Sequence, residues 1–453
     1  MAWQRARKGL AHPAGRRVRP WLWIAAALYL GASLQAQTPD EPGPADGPAE
    51  SDGQNALPNT RFEANIAFDR LVENESYEAA QVVGRRWVDL TIEEFGAESA
   101  EAADAYVEFA QAQSQAGEFE AAEENLLVAV EIYRKIGGLY SEMLLQPLVS
   151  LGDNYYSDAQ YLNAVSAYNE ARTVSRRVFG LLNEGQIEIL DRMTRSFSGM
   201  NEYVEADNQQ REALQLVERN HPQQSDEVLG AIYKYARWLR DSRRYNMERE
   251  FYARAVRIIR EHYGEEDVRM LRPLRETGNS FRSQGAAAGQ GISGLRQALE
   301  IAQSLPEPDA YALAQVWRDI GDWQTAFAKV DPGVEEYLRA WEALGAVPNG
   351  DAIREEWFSG IEYVFREPLS QRGLSAAPDA KTGYVLVKFD IEPAGRTANV
   401  EIVEAEPFGL KEEAVARHVR LSRFRPHLID GQAVTARNMA LKVTYRYQDP
   451  DGD

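Results

Sequence analysis

Residues 116–122 read Ala116-Gly117-Glu118-Phe119-Glu120-Ala121-Ala122, and the pattern they carry returns every 42 residues. An aromatic stands at Tyr77, Phe119, Tyr161, Tyr203 and Tyr245. Three positions on, Ala80, Ala122, Ala164 and Ala206 keep the same beat. Gly96, Gly138, Gly180 and Gly264 keep it as well, with Pro222 on the missing beat. A fixed period of this size is the signature of a solenoid, in which each unit buries its apolar face only against its neighbours.

Each unit reads as two helices. Between Ser99 and Ile136, Ala102, Ala105, Tyr106, Phe109 and Ala112 recur at three- and four-residue steps, an amphipathic stripe. Gly117 stops that helix and Phe119 opens the next, with Ala122, Leu126, Ala129, Val130 and Tyr133 facing inward until Gly137-Gly138. Small Ala beside large Tyr or Phe is what close helix packing requires. The fragments Gly117-Glu118-Phe119-Glu120-Ala121-Ala122, Ala159-Gln160-Tyr161-Leu162-Asn163-Ala164 and Met200-Asn201-Glu202-Tyr203-Val204-Glu205-Ala206 resemble tetratricopeptide repeats of the longer-helix variety. HEAT-type helix pairs have similar periods, but the aromatic just after the turn favours the tetratricopeptide pattern. The resemblance spans residues 60–345, about seven helix pairs. The five aromatics are the structural positions of the repeat.

The beat weakens at Ala287, inside the glycine-rich run 283–291. No Lys-Ser/Thr follows and no strand precedes, so this is a loosened repeat turn and not a phosphate loop. Pairing resumes around Trp323 and Ala326, and Asp331-Pro332-Gly333 turns into a last helix, Val334 to Leu344. The stacked pairs form a long groove suited to a peptide or a protein tail, with Tyr155, Tyr156, Tyr233 and Tyr235 either lining it or packed in the core.

After a connector, 346–372, with a short helix near Ile353 to Phe358, the periodicity changes to two. Val385, Val387, Phe389 and Ile391 share one face of a strand, Pro393-Ala394-Gly395-Arg396 turns, and Thr397 to Glu404 returns with Val400, Ile402 and Glu404 inward. Leu410 to Leu421 is a helix with Leu410, Ala414, Val415 and Val419 on one side, ended at Phe424-Arg425-Pro426. Gly431 turns, and Ala436 to Tyr447 is the final strand. The expected fold is mostly α: an α-solenoid with a small C-terminal α+β domain of order ββαβ.

That order, with Gly383-Tyr384-Val385-Leu386-Val387-Lys388-Phe389-Asp390-Ile391, Gly395, Asn399-Val400-Glu401-Ile402-Val403, Arg423-Phe424-Arg425-Pro426 and Asp430-Gly431-Gln432-Ala433-Val434, resembles the C-terminal domain of the TonB family, over residues 373–448. The resemblance implies a Gram-negative periplasmic module that binds partners by strand addition. The segment expected to do so is the final strand: Ala436, Arg437, Asn438, Met439, Ala440, Leu441, Lys442, Val443, Thr444 and Tyr445. The chain departs from the energy-transducing members of that family. Its N-terminal apolar segment has no His, and a solenoid replaces their long spacer.

Six basic residues and no acid precede the apolar stretch Trp21 to Leu34, which ends near Leu34-Gln35-Ala36. The stretch is shorter than the ~20 residues that span a bilayer, so residues 1–36 read as a secretory signal, with a short membrane anchor as the alternative. Residues 37–59 read as a disordered acidic linker.

Among the 453 residues there is no cysteine, which excludes thiol nucleophiles, zinc-thiolate sites, disulfides and N-terminal lipidation. The five histidines form no pair at metal-ligand spacing. His418 and His427, flanking the Phe424-Arg425-Pro426 run, are candidate partner contacts or ordinary core histidines. Acidic pairs such as Glu123-Glu124 and Glu355-Glu356 are solvated helix faces. The formal charge of −20 excludes a general nucleic-acid binder and suggests basic or neutral partners. The whole reading is a non-enzymatic periplasmic adaptor without cofactor or metal, binding proteins or peptides such as outer-membrane transporters or other envelope components. It would touch the membrane only if the N-terminal segment is retained. The alternative is an inner-membrane-anchored TonB-like transducer serving outer-membrane receptors.

Overall fold

A computed structural model describes residues 57–328, 333–370, 372, 374–375 and 380–448. The signal or anchor segment, most of the acidic linker and the turn residues 331–332 lie outside the described residues.

Fourteen helices form seven antiparallel pairs. These are α1 (Arg61–Glu73) with α2 (Tyr77–Phe95), α3 (Ala100–Gln115) with α4 (Phe119–Gly137), α5 (Leu145–Ser157) with α6 (Tyr161–Phe179), and α7 (Gln186–Gly199) with α8 (Tyr203–Asn220). The stack continues with α9 (Asp226–Asp241) and α10 (Tyr245–Tyr263), α11 (Leu271–Ser283) and α12 (Gly289–Ser304), and α13 (Ala310–Phe327) and α14 (Val334–Leu344). Local chemistry starts several of them. Thr60 and Glu63 form a reciprocal capping box, and Ser99, Ser225 and Asp309 accept from the first free N–H groups of their helices.

All five repeat aromatics are the first residue of a second helix. Their alanine partners, Ala80, Ala122, Ala164 and Ala206, are completely buried at the helix crossings. The aromatics themselves are only half-buried, and Tyr203 is exposed. Tyr161, for example, lies over Gly199 of the next pair, where a Cβ would come within 2.7 Å of its ring. Tight packing therefore rests on the small residues more than on the aromatics.

In the first six pairs the turn between paired helices has one geometry. Glu75, Gly117, Ala159, Asn201, Arg243 and Gly285 each stand 42 residues apart and each adopts positive φ, between 56° and 85°. At every one, two backbone bonds close a Schellman motif; at Ala159 they are Ala159 N–H to Tyr156 O (3.1 Å) and Gln160 N–H to Tyr155 O (2.8 Å). Only two of the six are glycine. The run 283–291 keeps the turn at Gly285 and lacks only the aromatic. Gly96, Gly138, Gly180 and Gly264 cap the second helices, and at the Pro222 beat α8 stops one residue early at His221.

Ion pairs tie pair to pair. Arg134 reaches Glu170, Arg172 reaches Glu212 and Arg254 reaches Glu218 (2.5 Å) between second helices. Between first helices, Arg192 reaches Asp153 (2.9 Å), Lys234 reaches Asp191 (2.5 Å) and Arg240 reaches Glu276 (2.7 Å).

The remaining elements are α15 (Gly350–Phe358), β1 (Tyr363–Phe365), β2 (Lys381–Ile391), β3 (Thr397–Glu406), α16 (Glu412–Leu421), β4 (Arg423–Phe424), β5 (His427–Ile429), β6 (Gln432–Val434) and β7 (Ala436–Tyr447). The main sheet is antiparallel in the order β3-β2-β7. Val385, Val387, Phe389 and Ile391 of β2 pack against Val415 and Val419 of α16, as their alternation requires. In β3 the inward phase breaks. The register slips between Leu386 and Val387, so Ala405 packs inward and Glu404 is exposed, accepting from the Tyr384 hydroxyl. This corrects the inward assignment of Glu404; the bulge inverts a period-2 pattern.

The stretch 346–372 is not a passive connector. Its strand β1 pairs with β4, and Trp357 and Phe358 of α15 pack with Tyr337, Leu344 and, from β5, Leu428. The described residues from Leu57 onward form one compact unit containing both the helical stack and the C-terminal strands.

Candidate partner-binding surfaces

Three surfaces bear on recognition: the face of the first helices, the edge of β7 and the junction between solenoid and sheet.

Three of the successive first-helix pairs touch, α3–α5, α5–α7 and α11–α13, while second helices meet mainly their own pair and the following first helix. In a curved stack the more closely spaced elements lie on the inner side, so the first helices line the groove. Open depressions span α5, α7 and α9 around Tyr156 and Trp238, and α9, α11 and α13 around Tyr233. Of the four tyrosines weighed for this role, Tyr156 and Tyr233 line these depressions, Tyr155 donates to Glu123 (2.7 Å) from a half-buried position, and Tyr235 is buried with its hydroxyl on Asp207 (3.0 Å).

β7 pairs along one side only among the described residues, with β2. Met439, Leu441, Val443, Tyr445 and Tyr447 face the helix-covered side of the sheet; Ala440, Lys442, Thr444 and Arg446 are exposed. The strand is not regular throughout. Asn438 has φ of 56°, its N–H donates to Asp390 Oδ1 (2.8 Å), and the register against β2 shifts between Phe389 and Ile391. This bulge kinks the edge at Arg437–Asn438, so of the ten residues Ala436 to Tyr445, only those from Met439 onward form a straight ladder. At the far end, the Arg446 carbonyl accepts from the Ser375 N–H (3.0 Å).

The junction escaped sequence reasoning. Asp322 of α13 and Arg425, between β4 and β5, form a bidentate fork: Arg425 Nε to Oδ1 at 3.0 Å and Nη2 to Oδ2 at 2.8 Å. Asp322 is 1% exposed and Arg425 8%. The Tyr337 hydroxyl also donates to Oδ1 (2.9 Å), and Arg282 of α11 stands 3.6 Å from Oδ2 while donating to the Val364 carbonyl of β1 (2.9 Å). Burial alone would raise the Asp322 carboxyl pKa, but the Arg425 and Arg282 guanidiniums outweigh it and hold it well below the ordinary carboxylate range. Gly395 fits against Thr325 of α13 and the Phe424 carbonyl, where no Cβ could be placed. The only sequence signal was the Arg423-Phe424-Arg425-Pro426 run itself, which showed the arginine but not its partner.

His418 and His427 bind the chain's own backbone. His418 Nδ1 meets the Glu367 carbonyl and Nε2 the Tyr363 hydroxyl (3.1 Å), while His427 Nε2 meets the Gly360 carbonyl (3.1 Å). They hold segment 360–367 on the sheet domain. Among the described residues no group of His, Asp and Glu is placed to hold a metal ion, and no helix is long and apolar enough to cross a membrane.

Residues 375–447 match the family described as Gram-negative bacterial TonB protein C-terminal. No curated protein matches the chain. Among solved structures, one of nearly identical TPR-like repeats from Podosopora anserina is 16% identical, covers 45% of this chain and 97% of its own, and has a TM-score of 0.35. The C-terminal part of a TPR repeat-containing protein from Cytophaga hutchinsonii is 10% identical over 64% of this chain and 95% of its own, TM-score 0.38. Aspartyl phosphate phosphatase F from Bacillus subtilis is 14% identical over 67% and 80%, TM-score 0.37. The chain is a tetratricopeptide-like helical solenoid followed by a small strand-rich domain, and residues 375–447 of that domain match the TonB C-terminal family.

Proposed function

We propose that this protein is an extracytoplasmic adaptor of the Gram-negative envelope, which holds one polypeptide in the solenoid groove and engages another through the straight part of the β7 edge, Met439 to Tyr445. The observation that carries the reading is the junction. The buried Arg425–Asp322 fork fixes the C-terminal domain on the last helix pair, and no described segment of the chain itself pairs with the free side of β7 from Met439 to Tyr445 or fills the depressions on the first-helix face. A strand edge offers backbone N–H and C=O groups to an extended partner, and stacked helix pairs offer a continuous trough. A rigid connection between them would keep two bound partners at a set separation. The signal-like residues 1–36 and the family of the C-terminal domain support the periplasmic location.

The reading is tested by photo-cross-linking in intact envelopes from Thr444 on β7 and from Lys234 on α9, with mass spectrometry of the adducts and of the mature N-terminus. Adducts with different envelope polypeptides from the two positions, on a chain starting near Gln37, are expected. Cytosolic fractionation, or no polypeptide adduct from either position, overturns it.

A further inference from the structure

The groove is not uniform in charge, and its sign opposes that of the chain. Following one groove position at 42-residue steps, Asp104 is replaced by Gln146, Glu188, Gly230 and then Arg272. A second position runs Gln111, Asp153, Arg195, Arg237 and Asn279. At these positions the acidic residues of α3, α5 and α7 give way to arginines between α7 and α11. The two depressions there are lined by seven cationic side chains against four carboxylates, on a protein of formal charge −20.

Three of the four carboxylates are already held by cations, and the fourth, Asp241, is exposed. Glu276 is held by Arg240 (2.7 Å), Asp191 by Lys234 (2.5 Å) and Asp226 by Arg269 (3.4 Å). Arg275 and Arg318 close on the buried Asp319. Arg237 and Arg272 are exposed and have no carboxylate partner among the described residues. Arg272 is nonetheless held in place, with its Cζ 4.3 Å from the centroid of the Tyr233 ring. Stacking on an aromatic fixes the guanidinium plane and leaves its N–H edge pointing away, ready for a planar, bidentate acceptor. Beside it, Gly230 leaves open space: a Cβ there would meet nothing within 4 Å.

Resting on the adaptor reading above, we propose that the α9–α13 end of the groove binds an acidic peptide segment of the partner, with Arg272 and Arg237 taking its side-chain carboxylates and the space over Gly230 and Tyr233 taking the neighbouring residue. The net charge of the chain pointed instead to basic or neutral partners; the local field of the groove has the opposite sign and decides what enters it.

The test is fluorescence anisotropy with the full chain and a fluorescein-labelled dodecapeptide of four Glu-Ala-Tyr units, beside versions with Gln or Lys in place of Glu. The Glu peptide is expected to bind about ten-fold or more tighter than the Gln peptide, to weaken with added salt, and to lose about ten-fold in the Arg237→Glu/Arg272→Glu double variant. Gly230→Leu should block binding sterically while leaving the melting temperature unchanged or higher. Arg257→Glu, an exposed position on the second helix α10, should leave affinity within about two-fold, because the effect is local and not one of net charge. Equal binding of Glu and Gln peptides, an equal loss in Arg257→Glu, or no binding of the Glu peptide overturns the inference. If Lys234 still cross-links an envelope polypeptide in those cases, the adaptor reading stands and only the acidic ligand falls.

Discussion

Replacing Asp322 by Ala removes the acceptor of four groups at once: both ends of the Arg425 fork, the Tyr337 hydroxyl and the nearby Arg282. Arg425, at 8% exposure, cannot recover water without opening the junction. Breaking a buried ion pair from one side typically costs about 3–5 kcal/mol, because the remaining charge stays buried and uncompensated. The loss should appear in urea unfolding as a lowered midpoint, and in limited proteolysis as new cleavage between α14 and β2. Replacing both partners, Asp322→Leu with Arg425→Met, should recover part of it, since the two charges of the fork are removed together while the Tyr337 hydroxyl and Arg282 still lose the carboxylate. Acid supplies a second reading. The folded Asp322 has a depressed pKa, so its contribution is complete above the ordinary unfolded value of about 3.9 and is lost progressively as pH falls below it. Wild type should therefore weaken at the junction below about pH 4, whereas the double variant should lack this component. If Asp322→Ala unfolds within about 1 kcal/mol of wild type, or the double variant is as unstable as the single one, the junction does not hold the domains together in the way argued.

Three further outcomes follow from the packing. Ala159→Gly should stabilise the solenoid by about 1 kcal/mol, measured by thermal unfolding, because Ala159 occupies the left-handed region at φ of 58°. Tyr161→Ala should cost only about 1–2 kcal/mol, as its ring is half-buried, whereas Ala164→Leu at a fully buried crossing should cost about 1–3 kcal/mol through overpacking; a larger loss at Tyr161 than at Ala164 would reverse the assignment of which residue controls the crossing. His418 is held below its ordinary pKa by burial, so its contribution is present above the unfolded value of about 6.5 and is lost as pH falls through that value toward the folded one. Unfolding of the C-terminal domain between pH 7 and 5 should show that decline, and His418→Gln should flatten it.

Leu441→Pro is not a clean test of strand capture. Leu441 lies opposite Val387 and packs in the sheet core, so proline there disturbs β7 itself as well as its free edge. Cross-linking from an exposed β7 position avoids that ambiguity.

Local burial leaves a period, and a period can be read in one dimension. The 42-residue beat announced helices opening at Tyr77, Phe119, Tyr161, Tyr203 and Tyr245, and the alternation Val385, Val387, Phe389, Ile391 announced the central strand. Those patterns exist because each residue's environment is decided by its own helix or strand and the neighbouring one. What tertiary structure alone decided has no such trace. Four of the six left-handed turn residues are not glycine, because the Schellman bonds and the packing of the pair impose the geometry on Glu75, Ala159, Asn201 and Arg243. The β3 bulge inverted the phase at Glu404, since one extra residue is invisible to a two-residue count. Asp322 and Arg425 stand 103 residues apart, and a buried pair of opposite charges leaves no periodic signal in either segment. The charge of the groove emerged only once first helices were set side by side, because net charge sums over all faces while a ligand meets one.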